Sequence, residues 1–266
     1  MTSYRATALA LVQALVAGCG GGDTADGGAG PPDLAAPADL ASVDLAAAAD
    51  LRPTGVAMHG RIRDFTERTP LAGVTVCLTD PKRMPCHPAD AMGSYLVPDL
   101  PIGANVVVHF QKPDYLVQQI MLAVPAVDVR IVTSMVTWAE AEALGAIVGL
   151  PKVDRTKGFM TVAVTERDEF TDSASGLPYL KVSLDKPHGD GPYYFDANRL
   201  PDVKLKETTS SGTVTFAHLT PGEYLLTARH PTRTCKARAA WAGPAPNTFR
   251  VRITAGAHSV VYIYCI

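Results

Sequence analysis

The sequence predicts an all-β protein: two tandem antiparallel β-sandwiches joined by a short helix, behind a disordered N-terminal tether. Three observations carry that reading. Apolar Val74, Val76 and Leu78 alternate with Thr75, Cys77 and Thr79, the period of a strand with one buried face. The chain also repeats itself, because "GSYLVPDLPIGANVVVHF" from Gly93 is matched by "GTVTFAHLTPGEYLLTARH" from Gly212. Gly93, Leu100 and Gly103 hold the same spacing as Gly212, Leu219 and Gly222. Finally, 22 Gly and 21 Pro in 266 residues, with only 19% charged residues, suit short strands joined by turns better than long helices.

Read in chain order, Met1 to Arg5 is polar with one positive charge, and Ala6 to Val16 is apolar apart from Thr7 and Gln13. The small residues Ala17 and Gly18 then precede Cys19, an arrangement of charged start, short apolar segment and cleavage point. The segment is shorter than the roughly 20 apolar residues a membrane-spanning helix needs. Leu15-Val16-Ala17-Gly18-Cys19 resembles the lipobox of bacterial lipoproteins. The resemblance implies that residues 1–18 are a signal peptide and that Cys19 is lipidated and anchors the chain in a membrane. Gly20, standing where an Asp would imply inner-membrane retention, points to an outer-membrane lipoprotein of the cell envelope, facing the periplasm or the surface. An ordinary secretory signal with a chance cysteine is the alternative.

Residues 20–51 hold no Lys, Arg or aromatic residue, and Asp-Leu recurs at Asp33, Asp39, Asp44 and Asp50. So little apolar bulk cannot offset the entropy of ordering. Residues 19–53 therefore read as a lipid-bearing cysteine followed by a spacer, with a coil reach of roughly 30 Å.

From residue 54 the texture changes. Residues 54–133 read as a first β-sandwich and 158–266 as a second of similar type. Glycines before strands and at apices supply turn conformations that residues with a Cβ avoid. The second copy carries an insertion near His188 to Asp202. In the linker, residues 134–157, Thr137 and Glu140 form a capping box. Trp138, Ala141, Leu144, Gly145 and Val148 fall near one helix face, and Gly149 with Pro151 ends the helix. Without a basic face it reads as a connector packed on a sandwich, not a membrane-surface helix.

Val56 to Asp64, "PLAGVTV", "GSYLVPDLPIG" and "GTVTFAHLTPGEYLL" together resemble carboxypeptidase regulatory-like domains. The second copy is also similar to collagen-adhesin B-type repeats. The resemblance covers about 55–132 and 158–266. It implies prealbumin-like (transthyretin-like) sandwiches and no catalytic activity, because it touches only the accessory domain of such enzymes. Asn105 stands where the second copy has Tyr224, the usual aromatic.

With Cys19 set aside, Cys77, Cys86, Cys235 and Cys265 remain, two per module. An even remainder in an exported chain favours the disulfides Cys77–Cys86 and Cys235–Cys265. Cys77 alternates away from Val76 and Leu78, so its bond belongs on an outer face or edge. Zinc, through His87 beside Cys86 or His230 near Cys235, lacks finger-like spacing, and free thiols are the other alternative.

Charge is nearly balanced, at −2 with 24 basic and 26 acidic side chains, and no basic stripe occurs, so no nucleic-acid partner is expected. No metalloprotease, serine-hydrolase or phosphate-loop motif is present, and no catalytic residue, metal or cofactor is assigned. Intradiol ring-cleavage dioxygenases share a related sandwich and hold iron with two Tyr and two His. Tyr193, Tyr194, His188, His218 and His230 supply such types, yet "TARHPTRTC" lacks that family's paired histidines. The insertion "DKPHGDGPYYFDANRLPD" is the richest recognition patch. Its His188, Asp190, Tyr193, Tyr194, Asp196 and Asn198 are suited to stacking on sugars or seating calcium, and a solvated loop is the plain alternative. The expected function is that of a non-enzymatic, membrane-anchored lipoprotein whose sandwiches bind protein or polysaccharide. The alternatives are modules that act purely as spacers and a metal-dependent enzyme in the second module. Oligomeric state is left open.

Overall fold

A computed structural model describes residues 55–80, 85–168 and 175–266. The signal segment, Cys19 and the tether lie outside the described residues. The first repeat supplies β1 (Gly55–Asp64), β2 (Thr75–Asp80), β3 (His87–Pro88), β4 (Ser94–Pro101), β5 (Asn105–Gln111), β6 (Val117–Ala123) and β7 (Val129–Met135), followed by α1 (Trp138–Ile147). The second supplies β8 (Gly158–Thr165), β9 (Lys181–Leu184), β10 (Asp190–Phe195), β11 (Pro201–Asp202), β12 (Thr213–Leu219) and β13 (Gly222–Arg229). It continues with β14 (Cys235–Ala239), β15 (Trp241–Ala242), β16 (Thr248–Ile253) and β17 (Ala257–Cys265).

These strands form two β-sandwiches joined by one short helix. In the first, the sheet β4-β1-β7 faces β3-β2-β5-β6; in the second, β12-β8-β17 faces β15-β16-β13-β9. Pairing is mostly antiparallel, but β1 with β7 and β8 with β17 are parallel, because the last strand of each repeat crosses over to the far side of its first.

The repeat seen in sequence holds at the level of single hydrogen bonds. Ile62 N donates to Gly93 O and Leu71 N to Ile62 O; Val164 N donates to Gly212 O and Leu177 N to Val164 O. Gly93 and Gly212 sit at φ +66° and +60°. A Cβ on either would lie 2.3 Å from the paired carbonyl oxygen, of Ile62 or of Val164. Each glycine therefore meets two demands at once, a left-handed backbone and close approach of a neighbouring strand.

The two sandwiches share a sheet. Ala257 to Val260 of β17 pair in parallel with Val117 to Ile120 of β6, so one ten-stranded sheet runs β11-β10-β12-β8-β17-β6-β5-β2-β3, with β14 also on β17. Alternation then places the two cores on opposite faces of this sheet. Val108, Phe110, Ile120, Leu122, Val260 and Tyr262 pack beneath β4-β1-β7 with Met58, Ile62, Val97 and Ile131. Val107, Met121, Val162, Val164, Val261 and Ile263 face the other way, with Val182, Leu226, Phe249 and Val251. The seam carries buried polar bonds: Gln119 Nε2 donates to Ser259 Oγ (2.7 Å) and to Arg252 O (2.6 Å), and Thr254 Oγ1 donates to Gln119 Oε1 (2.9 Å).

Both disulfides are formed, Cys77–Cys86 and Cys235–Cys265. Cys77 points away from the first core but is itself buried, and its partner Cys86 is exposed. Cys235 and Cys265 face each other across the β14–β17 ladder and are buried in the second core.

The helix begins as its sequence requires. The Thr137 hydroxyl accepts from Glu140 N (3.1 Å), and Glu140 Oε2 accepts from Thr137 N (2.7 Å). Gly149, at φ +76°, follows its end. Trp138, Ala141, Leu144 and Gly145 are half-buried, while Ala139, Glu142, Ala143, Ala146 and Ile147 are exposed. The insertion of the second repeat differs from a solvated loop. Residues 190–195 become β10 and residues 201–202 become β11, extending the large sheet beside β12. The turn-forming Asp-Gly-Pro masks the strand signal of Tyr193, Tyr194 and Phe195, aromatic residues that pack well on a pleated surface.

Candidate functional site

The offset of the two small sheets leaves part of the large sheet uncovered. On the face carrying the first core, β4-β1-β7 stops short of β8, β12 and β10. A cleft of about 450 Å³ opens there, floored by Thr161, Ala163, Thr213 and Thr215. One wall comes from β7 and the turn after β1, through Ser134, Val136 and Phe65. The opposite end is closed by Tyr193, Phe195 and Pro201, and α1 with Leu144 and Gly145 forms the remaining side. Its size lies within the range of ligand-binding cavities, roughly 300–1,000 Å³.

Strand alternation explains which residues reach it. Thr161 and Ala163 point into the cleft while Met160, Val162 and Val164 point into the second core. Thr213, Thr215 and Ala217 likewise alternate with Val214 and Phe216. The floor is hydrogen-bonded within itself. Thr161 Oγ1 lies 3.0 Å from Thr215 Oγ1 and 2.8 Å from His258 Nε2. Burial pushes the His258 imidazole down to about 4, so it is neutral at physiological pH. Tyr262 OH lies 2.8 Å from Thr133 Oγ1, and burial pushes this phenol up to about 12. Thr133 also accepts from the buried Gln118 amide.

Three arginines line the cleft: Arg63 on β1, Arg68 in the following turn, and Arg199 in the turn between β10 and β11. No Asp or Glu lines it among the described residues. Arg68 lies over the Phe65 ring, 5.5 Å from its centroid, and reaches Ser134 Oγ at 3.4 Å. Asp64, at the end of β1, feels the charge of Arg68. It accepts from the backbone N–H groups of Thr66 (2.9 Å) and Glu67 (2.8 Å) and from Tyr115 OH (2.8 Å). Burial alone would raise its pKa, but these hydrogen bonds, together with the Arg68 charge, outweigh burial and hold the carboxyl below the usual range.

The structure disperses the six residues of the insertion. Tyr193 lines the cleft. Its neighbour Tyr194 points to the opposite face, where its hydroxyl accepts from Val182 N (3.0 Å) inside the second core. Asp190 Oδ2 lies 2.7 Å from His218 Nδ1. His188 meets the Phe216 ring edge-on at 5.3 Å. Asp196 accepts from the N–H groups of Asn198 and Leu200, both at 2.9 Å, and so shapes the β10–β11 turn. The tyrosine and histidine types of an intradiol iron site are therefore not gathered, since Tyr193 and Tyr194 lie on opposite faces of one sheet. Among the described residues no group of three or more His, Cys, Asp or Glu side chains is placed to hold a metal ion. No helix among them is long and apolar enough to cross a membrane.

Sequence reasoning missed Arg63, Arg68, Arg199, Thr161, Thr215 and His258. The threonines alternate with core residues in "FMTVAV" and "TVTFA", which reads as an ordinary solvent face. Only the joining of the two sandwiches turns that face into a floor.

No family model matches the chain, and no curated protein matches it. Among solved structures, it is similar to the TIE protein of Bacillus anthracis, with 12% identity and a TM-score of 0.25, covering 79% of this chain and 34% of that one. The chain thus spans about a third of that protein's length. A minor pilin of Streptococcus agalactiae overlaps with 14% identity and a TM-score of 0.27, over 79% of this chain and 95% of the pilin. The D295N mutant of the shaft pilin SpaA of Lactobacillus rhamnosus GG gives 14% identity and a TM-score of 0.26, over 78% of this chain and 97% of the pilin. At TM-scores this low the overlaps carry no functional argument, and the reading that follows rests on the chain's own residues.

Proposed function

We propose that this chain is a non-enzymatic, envelope-anchored lipoprotein whose paired sandwiches bind a protein or polysaccharide at the cell surface, with the cleft as the contact site. The cleft carries the binding half of the reading. It joins apolar walls, aromatic side chains and a hydroxyl-bearing floor in a space large enough to bury a short stretch of ligand. Its polar groups are arranged as a hydrogen-bonded row in which Thr161 Oγ1 meets both Thr215 Oγ1 and His258 Nε2. The resemblance of Leu15 to Cys19 to a lipobox, and the Asp-Leu tether behind it, support the anchoring half and an outer-membrane address.

Two measurements test the two halves separately. For the anchor, native protein is extracted from membranes and its intact mass taken before and after reduction. A chain starting at Cys19 with added acyl mass is expected; a soluble, unacylated chain would overturn anchoring. For the cleft, the purified ectodomain is titrated with isolated envelope polysaccharide. The cleft is then filled by Gly145→Trp, a helix position whose added Cβ would meet only the Leu150 side chain, at 3.5 Å. Saturable binding that this variant abolishes, with an unchanged melting temperature, is expected. Binding that survives the variant would remove the cleft from the reading.

A further inference from the structure

Resting on the cleft as the contact site, we infer that its protein ligand is an extended polypeptide segment, which docks as an added strand on the open edge of β7. The phase of the β1–β7 ladder defines that edge. Phe65 N donates to Met135 O. In a parallel pair, alternate residues turn both backbone groups toward the same neighbour. Ile131, Thr133 and Met135 therefore face β1, and Arg130, Val132 and Ser134 turn their groups off the other side. Two carbonyls agree with this phase: Arg130 O accepts from Arg238 Nη2 (3.3 Å) and Val132 O from Tyr262 OH (3.4 Å). The N–H groups of Val132 and Ser134 and the Ser134 carbonyl have no partner among the described residues. Both residues line the cleft. Donors and acceptors that recur at every second residue, about 7 Å apart, are the complement of another extended backbone. The chain already uses this edge one step further on, where Leu116 N donates to Val136 O, so the open row is short.

The second observation is that β7 lacks the devices that keep strand edges from pairing. Such devices are very short strands, proline, lysine and bulges. Among the described residues, every other sheet end has one. β4 holds Pro98 and Pro101, while β3, β11 and β15 are two residues long. β9 has four residues and starts at Lys181, and β14 is bulged between Ala237 and Ala239. β7 runs seven residues with no proline and in unbroken register with β1. A strand added there continues β4-β1-β7 over the uncovered part of the large sheet. Its side chains alternate, one set pointing into the cleft toward Ala163, Val136 and Leu144 and the other pointing to solvent. The segment that fits therefore has apolar residues at every second position.

The test uses the ectodomain and a pool of octapeptides with Val, Ile or Leu at alternate positions and Thr or Lys between them. Two further pools keep the side chains but carry backbone N-methyl groups on one or the other set of alternate residues. The unmodified pool is expected to bind and to slow hydrogen exchange at the Val132 and Ser134 amides by about tenfold or more. N-methylation removes the donors of one strand edge only, so one methylated pool should lose about tenfold or more in affinity while the other keeps it. Val132→Pro removes an N–H that β1 does not use, and it is expected to abolish peptide binding with little change in melting temperature. If that variant fails to fold, the methylated pools still decide. Equal binding of the two methylated pools, or protection at another strand edge, would overturn strand addition. Peptide binding with the expected pattern and no polysaccharide binding upholds the inference and makes protein the partner in the proposed function. If no pool binds while envelope polysaccharide binds in a manner sensitive to Gly145→Trp, strand addition falls and the proposed function stands. If neither binds, both fall.

Discussion

Gly93 and Gly212 show how single positions set this fold. Each combines a left-handed backbone with a neighbouring carbonyl where a Cβ would sit. Alanine at either is expected to lower stability by about 2–4 kcal/mol, from backbone strain and displacement of the paired strand. Gly103 is the control: its φ is +78°, but a Cβ there meets nothing within 4 Å, so alanine should cost only about 1–2 kcal/mol. Denaturant titration of the three variants checks the order, and equal losses would show that the close approach adds nothing. His258 gives a second prediction at this scale. Its imidazole is held neutral down to about pH 4 in the folded protein, against an ordinary value of 6.5 when unfolded. Only the unfolded chain takes up that proton between these values. Stability therefore falls as pH drops from about 6.5 to about 4, by roughly 3 kcal/mol in total, and this contribution is flat outside the window. His109 and His230 are lowered too, both first by burial, and add in the same direction. Unfolding curves of the native chain and His258→Gln across this range should differ in slope; parallel curves would exclude His258 as the source.

At the scale of elements, the two disulfides differ in access. Cys86 is exposed, whereas Cys235 and Cys265 are buried between β14, β17 and the second core. Mild reductant under native conditions is expected to free Cys77 and Cys86 first, with Cys235 and Cys265 released only when the protein opens. Peptide mapping after alkylation reads the order directly, and simultaneous release would contradict it. The Cys235–Cys265 bond closes the longer loop, with a sequence separation of 30 against 9. In the chain-entropy account its removal lowers stability by about 4 kcal/mol, against about 3 for the shorter one. The helix depends on its start. Thr137→Ala removes one arm of the capping box and is expected to cost about 1 kcal/mol. Because α1 walls the cleft, the same variant should also loosen ligand binding.

At the scale of the whole molecule, the β6–β17 ladder makes the sandwiches one cooperative body. Cutting the chain between them would strip a strand edge from each half, uncover Val107 and Met121 of the second core, and orphan the polar bonds of Gln119. Residues 54–133 and 158–266 expressed separately are therefore expected to aggregate or remain unfolded, and the ectodomain to melt in a single calorimetric transition. Two resolved transitions, or two soluble folded halves, would show that the shared sheet contributes little.

Much of this was present in the order of residues. Strand alternation at Val74 to Thr79, the duplicated Gly–Leu–Gly spacing, the Thr137–Glu140 cap and the cysteine pairs are local features, and local physics suffices to read them. The β10 strand escaped because Gly191 and Pro192 within it signal a turn, and its pairing partner β12 lies beyond another turn. The cleft escaped for a deeper reason. Arg63, Thr161, Arg199 and His258 are far apart in the chain, and each reads alone as an ordinary surface or strand residue. The sequence by itself determined two sandwiches, their staples and the connecting helix, because these follow from periodicity and short-range contacts. Tertiary structure alone decided that β17 of one repeat would pair with β6 of the other. That choice rests on the unsatisfied edge hydrogen bonds and the apolar faces both strands must bury, and it places the arginines and threonines around one space.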